Sequence, residues 1–210
     1  MVLAFVEHEA GTVEETALEQ FTLVRELAAE TDGAVTAAVF GEESAETADQ
    51  LSDYGVDAVY HVTHDALDRY APAAWADSLV QLAEEVGTST IVAAGSDRGQ
   101  EVLARAGATL EQPMAANCLE VAPGDVYELT RQRWGGSLKE HARLEADTYL
   151  LTTAEHELGL VEADSPTDPT VESFTPDLDD AELAVEVERF EEADVEGVPL
   201  GEARVVVSGG

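Results

Sequence analysis

Thr88-Ser-Thr-Ile-Val-Ala-Ala-Gly-Ser-Asp-Arg-Gly99 is the stretch of sequence that decides the fold. Its first part, Thr88–Ala94, is a short apolar run that predicts a buried strand. Gly95-Ser96 predicts a turn directly after this strand, and a helix is expected from about Asp97 to Leu110. A buried strand that passes through a tight turn into a helix is the unit from which parallel sheets are built.

The same alternation of strand and helix runs through the preceding residues. Apolar runs predict three further strands, at Val2–Val6, Ala34–Phe40 and Ala58–Val62. Thr12-Val-Glu-Glu15 predicts a helix start of the capping-box type, with Thr12 as N-cap, and apolar residues at helical spacing continue this helix up to Gly33. Two further helices are predicted over about Ser44–Tyr54 and over Ala73–Val86. This order predicts an α/β fold with an open, mainly parallel sheet and helices on both faces.

The pattern changes after about Met114, where strands follow one another without helices. The expected strands are Met114–Val121, Val126–Arg133, Leu138–Leu144 and Asp147–Thr152. Turn residues separate them at Pro123-Gly124-Asp125 and at Gly135-Gly136. We therefore expect an antiparallel β-meander that adds to one edge of the parallel sheet.

The last third of the chain predicts a division into parts. Residues 1–161 are expected to form the α/β domain, and residues 162–182 a loose, exposed acidic connector that is rich in Pro, Asp and Ser. Residues 183–210 are interpreted as a linker strand, Leu183–Phe190, and the first strand of a second, truncated domain, Ala203–Val207. That last strand runs into Ser208-Gly209-Gly210, a turn typical of a strand that presents backbone N–H groups to a phosphate.

Composition limits the classes of function. The 210 residues include 45 acidic and 10 basic side chains, for a formal net charge of −35. Such a balance excludes a nucleic-acid partner and, with an ordinary apolar content, indicates a folded protein adapted to a salty cytoplasm. The N-terminus has no basic segment before its apolar run, and no run approaches the length that spans a bilayer. We therefore expect a soluble cytoplasmic protein without membrane insertion.

The turn at Gly95, Ser96, Arg98 and Gly99 is the first candidate site. It follows a parallel strand and opens a helix, which is where open α/β sheets bind anions, and Arg98 could donate to a phosphate. The alternative is an ordinary helix start in which Ser96 or Asp97 caps the helix. Asp97 would repel a phosphate, which favours the second interpretation.

A second candidate is the concentration of cations at Arg131, Arg133, Lys139 and Arg143, which includes the one lysine of the chain. These residues could form an interface with an acidic partner or with a following domain. Equally, cross-strand pairs with nearby glutamates such as Glu128, Glu140 and Glu145 could neutralise them.

Other chemistry-bearing residues suggest structural roles. His61 and His64 have no third ligand nearby, so no metal site is predicted. Cys118, the one cysteine, lies in an apolar strand and is expected to be a small core residue, which excludes an internal disulfide. Trp75 and Trp134 are expected to anchor the core and a turn. No catalytic group is predicted.

Several blocks, in order along the chain, carry a resemblance to a known family. They are Val6-Glu-His-Glu-Ala-Gly11, Leu51-Ser-Asp-Tyr-Gly-Val-Asp-Ala-Val-Tyr60, the helix from Gly99 to Leu110, Trp134-Gly-Gly-Ser137, and Glu202-Ala-Arg-Val-Val-Val-Ser-Gly-Gly210. Together they resemble the N-terminal domain of electron-transfer flavoprotein α subunits, which are also called FixB.

The resemblance implies an α/β fold of the nucleotide-binding, adenine nucleotide α-hydrolase-like type. It also implies a redox carrier and not an enzyme. In that family the α and β subunits form a heterodimer that carries electrons from dehydrogenases through FAD to a quinone-reducing acceptor. The FAD would lie in the domain whose first strand is Ala203–Val207, and Ser208, Gly209 and Gly210 would be an incomplete part of its FAD motif. This portion would therefore bind no FAD and would act as a scaffold and docking domain. The alternative is a stand-alone adenine-nucleotide-binding module of the stress-protein type.

Overall fold

The structure is a computed structural model that describes residues 1–41, 46–67, 69–179, 183 and 203–207. The strands are β1 (Val2–Val6), β2 (His8–Glu9), β3 (Thr12–Val13), β4 (Val35–Phe40), β5 (Ala58–Val62), β6 (Thr90–Ala93), β7 (Met114–Ala122), β8 (Tyr127–Arg133), β9 (Leu138–Leu144), β10 (Tyr149–Thr153) and β11 (Thr170–Phe174). The helices are α1 (Glu15–Glu19), α2 (Phe21–Glu30), α3 (Ala48–Ser52), α4 (Pro72–Val86) and α5 (Asp97–Leu110).

Nine of these strands form one sheet in the order β11-β5-β4-β1-β6-β10-β7-β8-β9. All pairings from β11 to β7 are parallel, and only β8 runs antiparallel to its neighbours β7 and β9. The short strands β2 and β3 pair separately as an antiparallel hairpin. The predicted capping box at Thr12 was therefore wrong, because Thr12 pairs with Glu9 in this hairpin and α1 begins only at Glu15. The expected α/β fold with a mainly parallel sheet is therefore confirmed.

Helices cover both faces of the sheet because side chains alternate along each buried strand. On one face, Val2 and Val6 of β1 belong to a core that includes Phe21 and Leu27 of α2. On the other face, Phe5 belongs to a second core that is filled mainly by α4 and α5. Small residues in the strands, among them Ala4, Ala37, Ala38 and Ala93, are fully buried between these layers.

The fourth expected meander strand lies elsewhere in the sheet, and this part of the prediction was wrong. Strand β10, which covers most of Asp147–Thr152, pairs in parallel with both β6 and β7 and so lies inside the sheet. All five of its residues are buried. Leu150 faces the second core and Leu151 the first, a pattern that suits a central strand with two covered faces.

Part of the expected connector is also ordered. Residues 170–174 form β11, which pairs in parallel with β5 along its whole length and ends the sheet on that side. The prediction of a loose connector over 162–182 was therefore wrong for this stretch. The unpaired edge of β5 offers backbone hydrogen bonds that stabilise a strand here in spite of the Pro-, Asp- and Ser-rich composition.

Of the two C-terminal strands that the sequence predicts, one does not form and the other lies almost wholly outside the described residues. Ala203–Val207 forms no strand among the described residues, and the side chains of Val205–Val207 are exposed. A β-branched run needs a partner strand to form a ladder, and no described strand pairs with this one. Apart from Leu183, the predicted strand Leu183–Phe190 lies outside the described residues, as does the turn at 208–210.

Within the described ranges, no helix is long and apolar enough to cross a membrane.

The position of β10 gives a direct prediction for two leucines. Leu151 is 0% exposed in β10, whereas Leu138 in β9 is 56% exposed. Leu151→Ala should lower the free energy of unfolding by about 2–5 kcal/mol, because it leaves a cavity between strand and helix. Leu138→Ala should change it by less than about 0.5 kcal/mol. Urea denaturation in molar salt measures both, and equally small effects would contradict a central β10.

Candidate functional site

The carboxyl ends of β1 and β6 meet at the point where the chain reverses its direction across the sheet. From β1 the chain passes to β4 and β5 on one side, and α4 then returns it to β6 on the other side. In open α/β sheets the crevice at such a point is the usual ligand position. Here Glu7 follows β1, and Gly95 and Ser96 follow β6, so these residues line the crevice.

A carboxylate of the chain itself occupies this crevice. The hydroxyl of Ser96 donates a hydrogen bond to Oε1 of Glu7 and accepts one from the backbone N–H of Gly99 at 2.9 Å. Ser96 is thus the N-cap of α5 and at the same time holds Glu7. Glu7 is only 5% exposed, and burial raises the pKa of its carboxyl group above the usual value.

The glycines of this turn have a packing role that requires no ligand. A Cβ atom on Gly95 would lie 2.2 Å from the carbonyl oxygen of Thr153, at the end of β10. A Cβ atom on Gly99 would lie 2.2 Å from the carbonyl oxygen of Ala94. Only glycine allows the backbone to approach this closely, so both residues are explained by the contact between β6, β10 and α5.

Arg98 is held by an aromatic ring beside the turn. Its guanidinium carbon lies 5.4 Å from the ring centroid of Tyr70, a cation–π contact. The hydroxyl of Tyr70 in turn donates to Oε2 of Glu101 at 2.9 Å, and burial with this hydrogen bond raises the pKa of the tyrosine. Tyr70 also packs edge-on against Trp75, which stacks on Phe40 in the second core.

The charges around the crevice oppose an anionic ligand. Glu14 and Glu155 raise the pKa of Glu7 through their negative charges, whereas Arg98 lowers it. A phosphate placed here would therefore meet three carboxylates and one guanidinium. The helix-cap interpretation of Gly95, Ser96, Arg98 and Gly99 is the one whose contacts the structure contains, and the anion site stays a prediction.

The second candidate site lies on the hairpin arm, which we define as residues 127–144 of β8, β9 and their turn. Arg131 contacts Glu140 on the facing strand, and Nε of Arg133 lies 3.9 Å from the same carboxylate. Nε of Arg143 lies 3.7 Å from Oε1 of Glu128. Arg131 is half-buried, whereas Arg133 and Arg143 are exposed, and exposed ion pairs contribute little stability. Arg133 and Arg143 therefore stay accessible to a partner, as does the exposed Lys139.

The tip of the hairpin arm carries exposed apolar groups. Trp134 is 82% exposed and has a positive φ of 54° at the start of the turn, followed by Gly135 and Gly136, also with positive φ. The expectation that Trp134 anchors the turn by packing was wrong, because its indole ring projects into solvent. Leu138, which the sequence analysis did not single out, is a second exposed apolar residue beside it. Aromatic and arginine side chains together are typical of protein–protein interfaces.

The remaining candidates are two histidines and the cysteine. His61 is buried in β5, and Nδ1 of His64 accepts a hydrogen bond from the N–H of Ala66 at 3.1 Å. No group of three potential metal ligands occurs among the described residues. Cys118 is fully buried, and burial raises the pKa of its thiol to about 12, which makes the thiol unreactive.

Fold and site together define a class: an α/β domain of nucleotide-binding architecture whose ligand crevice is filled by its own glutamate. The family model described as the electron transfer flavoprotein domain matches residues 2–195. The chain therefore belongs to the electron transfer flavoprotein domain family, as the resemblance from sequence implied.

Similar proteins agree with this assignment. The chain is 30% identical, over 99% of its length, to the electron transfer flavoprotein subunit alpha of Mycobacterium leprae, of which it covers 63%. It is 24% identical, over 98% of its length, to the same subunit of Thermoanaerobacterium thermosaccharolyticum, again covering 63%. It is 25% identical over its whole length to the lactate dehydrogenase (NAD(+),ferredoxin) subunit LctC of Acetobacterium woodii, covering 50%. The chain thus spans between half and just under two thirds of these relatives.

The buried carboxylate predicts a pH-dependent stability. Because burial raises the pKa of Glu7 above 4.5 in the folded state, its charge destabilises the fold at neutral pH. This cost is full above the folded pKa and disappears as the pH falls towards the unfolded value. Glu7→Gln should therefore raise the free energy of unfolding at pH 8, and the gain should shrink towards pH 5.

Denaturation in molar salt at a series of pH values tests this expectation. The control is Glu84→Gln in α4, which removes an equal charge from an exposed residue that does not shift the pKa of Glu7 and should show no such gain. A Glu7→Gln variant that is less stable than the wild type at pH 8 would contradict the assignment.

Proposed function

We propose that the chain is the N-terminal scaffold and docking portion of an electron-transfer flavoprotein α subunit. In this proposal it associates with a β subunit in a complex that carries electrons from a dehydrogenase, through FAD, to a quinone-reducing acceptor. The family match over residues 2–195 is the observation that carries the proposal. The chain itself would shape and position the complex without performing the chemistry.

The crevice at the carboxyl ends of β1 and β6 does not fit a flavin. The crevice where this architecture binds nucleotides is filled by Glu7, and acidic neighbours surround it. In the proposal, FAD is therefore held by the remaining part of the α subunit with its partner. The turn at Ser208, Gly209 and Gly210 would be the start of that site, and these residues lie outside the described ranges.

The hairpin arm is the surface that we propose for docking. It combines an exposed indole ring at Trp134 with cations at Arg133, Lys139 and Arg143, on a chain whose formal net charge is −35. A cluster of positive charges on an otherwise negative surface attracts an acidic partner to this one region. The exposed ring supplies the apolar contact that an interface needs at its centre.

The stand-alone nucleotide module is the alternative function. Its binding turn would be Gly95–Gly99, where the observed contacts form a capped helix and an occupied crevice. We therefore favour the flavoprotein proposal. Bound AMP or ATP on the purified chain would reverse this preference.

The acidic composition supports a further part of the proposal, that the host has a salty cytoplasm. At molar salt the Debye length falls to about 3 Å, so the repulsion among 45 acidic residues is largely screened. At low salt the same repulsion destabilises the compact state. Adaptation to high salt therefore accounts for the many acidic residues, and no binding partner for the whole acidic surface needs to be proposed.

A co-expression experiment tests the docking proposal. The gene, extended beyond Gly210, should be expressed with its β-like partner in molar salt, and a 1:1 complex with the visible absorbance of a flavin is expected. Trp134→Ser should weaken this complex by about tenfold or more, because a buried aromatic at an interface typically contributes over 1.4 kcal/mol.

The matched control is Val171→Ser in β11, at the opposite edge of the sheet, where the side chain is 53% exposed. This variant should bind as the wild type does. A colourless complex would contradict the flavoprotein proposal, whereas equal binding of both variants would contradict only the assignment of the hairpin arm.

A further inference from the structure

We infer that Arg25 and a set of backbone contacts fasten residues 161–179 to the domain as a fixed strap. The chain that follows residue 179 then leaves from a set position beside α4, and not from the end of a free tether at residue 161. The inference concerns this chain alone and holds whether or not the proposed function is correct. It is carried by three groups of contacts along the strap.

Arg25 of α2 holds the start of the strap. Its Nη1 donates to the carbonyl oxygen of Tyr54 at 3.1 Å, and its Nη2 donates to the carbonyl oxygen of Val161 at 2.9 Å. One planar guanidinium thus joins α2, the end of the α3 region and the strap. Lysine cannot reproduce this, because a single ammonium lacks the fork of donors.

The surroundings of Arg25 indicate a built contact. A Cβ atom on Gly55, which has a positive φ of 76°, would lie 3.0 Å from Cδ of Arg25 and 3.3 Å from Cβ of Ala163. The glycine therefore leaves room for the arginine stem beneath the strap. Burial lowers the pKa of Arg25, while the carboxylates of Glu26 and Asp164 favour its charged form.

Thr167 holds the middle of the strap through reciprocal hydrogen bonds. Its N–H donates to the carbonyl oxygen of Ser52 at 3.1 Å, and the hydroxyl of Ser52 donates to the carbonyl oxygen of Thr167 at 2.5 Å. Close by, the N–H of Ala163 donates to the carbonyl oxygen of Asp53 at 2.8 Å. The strap is therefore hydrogen-bonded to the end of α3 and to the residue that follows it.

The end of the strap is held by β11 and by α4. After the parallel pairing of β11 with β5, Phe174 and Leu178 pack against the second core. The side chain of Gln81 then pairs with the backbone of Asp177: Nε2 donates to its carbonyl oxygen at 2.7 Å, and Oε1 accepts from its N–H at 2.9 Å. The strap is thus held at its start, middle and end.

A held strap differs functionally from a free linker. A flexible chain of this length would have an r.m.s. end-to-end distance of about 25 Å, so whatever followed it could occupy a large volume. The contacts described above remove this freedom up to residue 179. They therefore fix the position from which the chain continues after residue 179, next to β11 and α4.

Hydrogen exchange on the whole chain tests the inference. In the wild type, the amides of Ala163, Thr167 and Asp177 should be protected. Arg25→Lys should speed exchange of the Ala163 and Thr167 amides by about tenfold or more, because it removes hydrogen bonds from a charged donor, while β1 and β6 stay protected. The control is Arg105→Lys, an exposed arginine paired with Glu101, which should leave the strap unchanged.

Ser52→Ala provides a second variant in case Arg25→Lys fails to fold. It should speed exchange at Thr167 but leave Asp177, which Gln81 holds, unaffected. Strap amides that exchange in the wild type as fast as an unfolded chain would overturn the inference. So would unchanged exchange at Ala163 and Thr167 in a folded Arg25→Lys variant.

Discussion

Burial of both faces of the central strands is the constraint on which the rest of this structure depends. Alternate residues of β1 enter two separate cores, so both faces must be covered, and helices can reach both faces only through parallel crossovers. The same constraint explains the alanines in β1, β4 and β6, which let the helices approach the sheet. It also places β10 between β6 and β7, since all its residues are buried.

Closure of the crevice follows from this packing. The backbone of Gly95 approaches Thr153 so closely that no side chain fits, and this brings the start of α5 against the end of β1. Ser96 then caps the helix and holds Glu7, which takes the position that an anionic ligand occupies in related architectures. The crevice where this kind of fold commonly binds nucleotides is here occupied by a carboxylate of the chain itself.

The two edges of the sheet have different characters. At one edge, the hairpin arm exposes the indole ring of Trp134 and cations in exposed ion pairs, such as Arg143 with Glu128. At the other edge, β11 belongs to a strap that hydrogen bonds hold to α2, α3 and α4. A free edge invites pairing with another chain, and both edges carry charged residues that discourage it, such as Lys139 and Glu172.

The sequence by itself determined the order of strands and helices, because hydrophobic periodicity and turn residues act within a few positions of one another. It also marked Trp134-Gly-Gly as a turn and Gly95-Ser96 as a helix start. Only the tertiary structure decided where β10 lies, that residues 170–174 form a strand, that Glu7 fills the crevice and that Arg25 holds the strap. Each of these depends on residues far apart in the chain, whose pairing is set by the space and the unpaired groups that the assembled core leaves available.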